Sequence, residues 1–256
     1  MGKVIGVINQ KGGVGKTTAT IELANAIASK KKKVLIMDLD QQGNLSKYVG
    51  ADESVPTIYD VLQAEKPISD AIQTCGRVDV IASSKELSKS DKEFVEHDDI
   101  FLLEDVIDLI KEKYDVILID NAPARSTLLT MAYVASDFIV IPAEADDGSI
   151  DGVEEVHNDI IKYRQGKRPI TEAKISMLIL NRYENTIMHQ NAKEKLNEKS
   201  EEYEDHPLVV TIRKGIAASE CKCFKQAILD YDSNSNLATD YNLAAKKLLS
   251  AIGGAK

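Results

Sequence analysis

Residues 9–18, Asn9-Gln10-Lys11-Gly12-Gly13-Val14-Gly15-Lys16-Thr17-Thr18, are the stretch whose types and spacing can do chemistry. Glycines let successive backbone N–H groups point inward around an anion, with no Cβ in the way. A lysine at the end of such a run reaches the β- and γ-phosphates of a nucleotide, and the next threonine hydroxyl can ligand Mg²⁺. Lys16 and Thr17 hold those two positions. The usual pattern begins with a glycine at position 10, where this chain has Gln10, and it carries no second lysine at the place of Lys11. The chemistry indicated is phosphoryl transfer, which asks for neutralised charge and positioning more than for a covalent intermediate.

A phosphate-binding loop works between a strand and a helix. Lys3 to Ile8 reads as a buried strand, and Ala19 to Ser29 has the length and the Ala, Ile and Leu content of a helix. Lys30 to Lys33 reads as its solvated end, where lysines complement the helix dipole. Val34-Leu35-Ile36-Met37 is a continuous apolar run, as expected of a central parallel strand, and it delivers Asp38-Leu39-Asp40 beside the loop. Tyr114 to Asp120 is another core strand ending in an acid, where Asp120 can hold Mg²⁺. Val78–Ile81, Phe138–Pro142, Ile175–Asn181 and Val209–Ile212 repeat the strand pattern. Two short helical stretches are expected in 48–75, and Ser84 opens a capped helix. Further helices are expected over Ile100–Lys113, 150–164, 187–203 and Leu237–Ile252. Strands alternating with helices mean an α/β fold, a doubly wound, mostly parallel sheet with helices on both faces. No linker or repeat divides the chain, so one domain over 1–256 is expected.

A chain of 256 residues with 43% apolar and 29% charged residues suffices for one large core. No apolar run approaches the ~20 residues that cross a bilayer, and Met1-Gly2-Lys3-Val4 enters the first strand without a signal peptide. Cys75, Cys221 and Cys223 cannot all pair, and the four histidines lack zinc-site spacing. A cytoplasmic protein is expected. A net charge of −9 argues against coating nucleic acid with the whole surface but leaves room for a local basic face.

The string Lys11 to Thr18 resembles the deviant Walker motif of the ParA/MinD ATPases, in a P-loop NTPase fold. The resemblance implies ATP and Mg²⁺ as cofactors, with Lys11, Gly12, Gly13, Val14, Gly15, Lys16, Thr17 and Thr18 around the phosphates. It implies a homodimer in the ATP state, with Lys11 crossing to the partner's phosphates. Asp38-Leu39-Asp40-Gln41-Gln42-Gly43-Asn44 resembles the family's second acidic motif, with Gln41 in place of proline. That assigns Asp40 to the attacking water, Asp38 with Thr17 and Asp120 to the Mg²⁺ environment, and Lys11, Lys16 and Asp40 to catalysis. An aspartate with a pKa near ~3.9 is a poor general base at neutral pH, so Asp40 orients the water, which suits slow turnover. Asn181 and Arg182 resemble the adenine-reading position, and Pro142 with Glu144 to Asp147 the dimer-interface loop.

Thr211 to Glu220 and Ile228 to Asp232 resemble the ParA/Soj branch, in which a basic run helps the ATP-bound dimer grip DNA without sequence preference. Arg213 and Lys214 keep basic residues there, Ala217 stands in place of an arginine, and Lys162, Arg164, Lys167 and Arg168 form a second basic cluster. A DNA-partitioning ATPase, nucleoid-associated when ATP-bound and reset by a ParB-like partner, is the function implied. No helix-turn-helix extension precedes the loop, so operator reading is not expected. The alternative is a MinD-like ATPase at a membrane or on a protein cargo. Membrane binding needs a C-terminal amphipathic helix with large apolar residues, and Lys246 to Ile252 has no Phe or Trp, so no membrane is expected. A nitrogenase-type iron protein would need a cysteine in Asn121–Met131, and a tyrosine kinase of the group a tyrosine-rich tail; neither pattern is present.

Overall fold

The run Lys3–Val7 turns successive side chains to opposite faces of a sheet, and both faces are covered, so every residue after Lys3 is apolar or glycine. The computed structural model describes residues 2–253. Its strands are β1 (Lys3–Val7), β2 (Val34–Asp38), β3 (Ile72–Cys75), β4 (Val78–Ile81), β5 (Val116–Asp120), β6 (Phe138–Ala143), β7 (Lys174–Tyr183) and β8 (Leu208–Arg213). Its α-helices are α1 (Lys16–Ala28), α2 (Asn44–Val49), α3 (Ile58–Leu62), α4 (Ile68–Ala71), α5 (Ser90–Glu93) and α6 (Leu102–Asp108), followed by α7 (Thr127–Ala135), α8 (Asp147–Arg164), α9 (Ile187–Glu202), α10 (Ala217–Cys223), α11 (Ile228–Tyr231) and α12 (Asn236–Gly253).

The strands form one sheet in the order β3-β4-β2-β5-β1-β6-β7-β8, parallel except for the β3–β4 pair. From β1 the chain steps over β5 to β2, and from β5 it later returns over β1 to β6. The crevice at the carboxyl ends of these central strands is where such sheets bind ligands. One face carries α1, α10, α11 and α12 over Ile5, Val7, Ile36, Leu118 and Val140. The other is covered in two patches, by α3, α4, α6 and α7 and by α8 and α9. The C-terminal helix α12 turns Leu237, Tyr241, Leu248 and Ile252 inward, so its apolar stripe is spent on the domain, as expected. No helix among the described residues is long and apolar enough to cross a membrane.

Three local expectations change. Lys30–Lys33 lies beyond α1, not in its last turn, because Lys31 adopts a left-handed backbone (φ 64) that stops the helix. The Ile100–Lys113 segment is broken into a 3₁₀ turn at His97–Phe101, the short α6 and a second 3₁₀ turn at Lys111–Lys113. Ser84 does cap, accepting from the Glu86 N–H, but it opens a 3₁₀ turn. The antiparallel edge strand β3 and the helices α2 and α7 complete the set.

Glu22 ties the α10–α11 connection to α1. It is buried on α1, and its Oε2 accepts from the Ile228 N–H at 2.9 Å. Burial, opposed by that hydrogen bond and by Lys222, raises its pKa to about 8, against about 4.3 for an unfolded glutamate. The folded carboxyl thus keeps a proton the unfolded chain releases. Its contribution to stability is complete below pH ~4.3 and is lost as pH rises through about 8. Glu22→Gln keeps an oxygen for the Ile228 N–H and carries no charge. We expect it to melt with wild type near pH 5 and above wild type at pH 8.5, a gap of about 1–3 kcal/mol in urea titrations. Parallel pH profiles for the two proteins would refute the assignment.

Candidate nucleotide-binding site

The loop between β1 and α1 is fixed by buried amides on both sides. Asn9 Nδ2 donates to the Pro142 carbonyl at 2.8 Å, while its Oδ1 accepts from the Lys11 N–H at 2.8 Å. Gly152 on α8 comes so close that a Cβ there would lie 2.3 Å from Asn9 Oδ1. On the far side Asn181, at the end of β7, donates from Nδ2 to the Val14 carbonyl at 2.7 Å. Gly13 and Gly15 have φ of +83° and +92°, and a Cβ on Gly15 would stand 2.7 Å from Asn181. Gln10, in place of the pattern's first glycine, points away from the loop and donates to Asp159 Oδ2 on α8 at 2.7 Å. The cradle is therefore kept open by restraints outside the motif.

Lys16 is buried in the first turn of α1, its Nζ donating to the Lys11 carbonyl at 2.9 Å. Burial lowers its pKa, while Asp120 and Asp40 pull the other way. Thr17 Oγ1 donates to Asp120 Oδ2 at 2.7 Å, and Thr20 Oγ1 lies 3.4 Å from Asp120 Oδ1. The register of β2 on β5 places Asp38 directly opposite Asp120, and both are fully buried. Burial and the charge of Asp38 raise Asp120 to about 8, and burial foremost raises Asp38 to about 6. Two buried carboxyls beside a threonine hydroxyl form a hard-oxygen donor set, the kind that fits Mg²⁺.

Asp38 differs from the expected role in one respect. Its Oδ1 accepts from the Asp40 N–H (3.1 Å), and its Oδ2 from the Ser46 N–H (2.9 Å) and hydroxyl (2.7 Å). It shapes the 38–46 loop and supplies negative field, leaving Thr17 and Asp120 as the better-presented metal donors. Asp40 is partly exposed; its Oδ1 accepts from the Gln42 N–H at 2.9 Å, and Oδ2 has no protein donor among the described residues. Lys11 is half-exposed and pairs within its own chain with Asp146, the residue that caps α8. Arg182 takes a left-handed backbone (φ 51) beside the loop and pairs with Glu144 at 2.5 Å. A cleft of about 820 Å³ opens from Gly15 and Thr18 past Asn181 and Arg182 to the 212–219 segment, on the side of the loop away from Asp120. Asn181 lines it, donating one amide hydrogen to the Val14 carbonyl, while its Oδ1 accepts from no protein donor among the described residues.

Ser46, Asp159 and Lys222 stand apart from the motifs in the sequence, and Asn9 carries no role there beyond its place in the 9–18 stretch. Ser46 follows the acidic motif by two residues and carries no signal of its own, and Asp159 lies in an ordinary helical stretch.

The two basic clusters do not make one surface. Lys162, Arg164, Lys167 and Arg168 lie before the amino end of β7, whereas Arg213 ends β8 opposite Tyr183 at the carboxyl end. The ten residues of β7 set them roughly 30 Å apart. Arg164 pairs with Asp205 at 2.5 Å and donates to the Ala173 carbonyl, and Arg213 holds both oxygens of Asp240. These two arginines are structural in the described chain. Lys162, Lys167 and Arg168 are exposed, and Lys214 sits 3.3 Å from Glu184. Cys221 is buried and Cys223 exposed, so the pair does not converge.

A family model described as an AAA domain matches residues 2–173. The chain is similar to "Chromosome partitioning protein ParA" of Myxococcus xanthus, 29% identical over 256 residues that cover 97% of this chain and 88% of the relative. It is equally similar to "Sporulation initiation inhibitor protein Soj" of Bacillus subtilis, 29% identical over 97% of this chain and 98% of the relative. In fold it matches the septum site-determining protein MinD of Pyrococcus horikoshii, solved with Mg-ADP, with a TM-score of 0.80 and 24% identity over 99% of this chain and 98% of that one.

Proposed function

This chain belongs to the ParA/MinD family of deviant-Walker P-loop ATPases, and on that premise we propose that it is an ATP-hydrolysing partition protein that works as a dimer on non-specific DNA. The observation that carries the reading is the Thr17–Asp120 contact at the mouth of the glycine loop, opposite Asp38 and next to Asp40. The loop amides and Lys16 take up the phosphates. Thr17 and Asp120 would hold Mg²⁺, which would supply charge neutralisation at the phosphates. Asp40 Oδ2 accepts a hydrogen bond from water and aims it in line at the γ-phosphorus; the bond to the bridging oxygen breaks, leaving ADP and phosphate. Lys11 exchanges Asp146 for the phosphates of a second subunit, an exchange that costs little because an exposed pair contributes at most about 1 kcal/mol. Partner-stimulated hydrolysis by a ParB-like protein then resets the dimer, in the cytoplasm and on the nucleoid.

The test is binding to random-sequence duplex DNA with ATP, ADP or no nucleotide across a salt series. Binding confined to ATP, falling about 10²-fold or more between 50 and 200 mM salt and absent in Lys16→Ala, is the expected result. A protein cargo is the second reading, favoured by Arg164 and Arg213 being spent on Asp205 and Asp240. No DNA binding in any nucleotide state would select it.

A further inference from the structure

Lys222 on α10 is a cation with no anion beside it. Its Nζ lies 2.9 Å from Thr18 Oγ1 and 4.7 Å from the centre of the Tyr48 ring, and it forms no ion pair among the described residues. The carboxyl nearest to it in charge, Glu22, is held largely protonated at neutral pH and is bonded to the Ile228 N–H. The other titratable groups it feels are the Cys221 thiol, which burial pushes up to about 11 and so keeps neutral at pH 7, and Arg182, of like sign. The side chain is half-buried, so water does not fully repay its charge. An ammonium group surrounded by a hydroxyl, an aromatic face, a neutral acid, a neutral thiol and an arginine is suited to receive an anion.

Its position says which anion. Along the loop, Lys11 and Lys16 mark the terminal-phosphate end, and Thr17 faces Asp120. Thr18, one residue on, faces the opposite way into the cleft of about 820 Å³, which Gly15 and Lys222 also line. A nucleotide whose β- and γ-phosphates occupy the loop has this cleft for its sugar and base, and the phosphate at the junction is the one bonded to the ribose.

On the ATP reading above, we infer that Lys222 is a nucleotide-binding residue that receives the α-phosphate at Thr18 and joins α10 and the Tyr48 helix to the bound nucleotide. Tyr48 belongs to α2, directly after the 38–43 acidic loop, so the same contact links the 217–223 segment to the loop that carries Asp40.

The test is calorimetric titration of ADP and of ATP, each with Mg²⁺, into wild type, Lys222→Met, Lys222→Arg and Lys16→Ala. Methionine keeps the unbranched stem over Tyr48 and loses the charge together with the hydrogen bond to Thr18. Losing one charged hydrogen bond is expected to weaken ADP and ATP alike by about tenfold in Lys222→Met, with Lys222→Arg within about threefold of wild type. Melting midpoints without nucleotide should match wild type in both variants. Wild-type affinity in Lys222→Met overturns the inference, as does a loss confined to ATP. A loss that Lys222→Arg fails to restore, with a lowered melting midpoint, also overturns it and makes the residue a structural tie. Failure of wild type to bind either nucleotide sinks the ATP reading itself, and this inference with it.

Discussion

Asp120→Asn should yield a protein that melts higher than wild type in Mg²⁺-free buffer and hydrolyses ATP at least ~10²-fold more slowly. Both effects follow from the same buried carboxyl. Asp120 lies opposite Asp38 with no solvent access to either, and it holds a proton up to about 8. An unfolded aspartate releases that proton near ~3.9, so at pH 7.5 the metal-free fold must take one up, at a cost of about 1–3 kcal/mol. Asparagine keeps one oxygen for the Thr17 hydroxyl, turns its amide nitrogen toward the Thr20 hydroxyl oxygen, and removes the charge that repels Asp38. For a chain of 256 residues, this corresponds to a rise of about 3–8 °C in melting temperature. The lost activity has the opposite cause, since an amide oxygen is a far weaker Mg²⁺ ligand than a carboxylate. Adding Mg²⁺ should raise the melting temperature of wild type and leave the variant unmoved. Turnover within fivefold of wild type, or a lower melting temperature without metal, would show that Asp120 is an ordinary strand-end aspartate.

The sequence made the centre of the molecule legible and its margins much less so. Strands β1, β2, β5, β6 and β7 are buried on both faces, and their apolar runs declare themselves without help from periodicity. β3 is an edge, half-exposed along Ile72–Cys75, and its antiparallel pairing with β4 comes from a tight connection through Gly76 at φ +63°. α7 is apolar nearly all round (Leu128, Leu129, Met131, Ala132, Tyr133 and Val134 are buried), so it has no polar face to announce a helix. At the site, the glycine loop, Thr17 and Asp120 carry their chemistry in residue type and place. What the sequence conceals is partnership. Arg164 finds Asp205 41 residues away, and Arg213 finds Asp240 27 residues away, so two basic residues that read as a free surface are internally neutralised. Lys222 errs in the other direction. It reads as one of many surface lysines, and only the fold brings it against Thr18, 204 residues earlier in the chain.

Asp40→Ala is expected to separate binding from turnover: ATP affinity within about threefold of wild type, hydrolysis lower by about 10²–10³-fold. The carboxylate makes no contact with the loop or with Lys16; its protein bonds are to its own turn, through Gln42 N–H, and the Ser83 hydroxyl is held by its backbone carbonyl, which alanine retains. The fold therefore loses one exposed turn bond. It also loses a negative charge that helps raise both Asp38 and Asp120, so those two carboxyls give up their protons more readily. What alanine cannot do is accept a hydrogen bond from the attacking water, and positioning of that water is the part of phosphoryl transfer a protein supplies most directly. With hydrolysis blocked and binding intact, a dimer that forms on ATP has no exit. Size-exclusion chromatography with ATP and Mg²⁺ should then show Asp40→Ala as a dimer persisting for hours, while wild type returns to monomer as ATP is consumed. Lys11→Ala on top of Asp40→Ala should return it to monomer, because the lysine that leaves Asp146 for the second subunit is gone. A variant that turns over ATP like wild type would take the water from Asp40. A variant that stays monomeric with saturating ATP would take the phosphate-bridged dimer from the chain, and with it the role of Lys11.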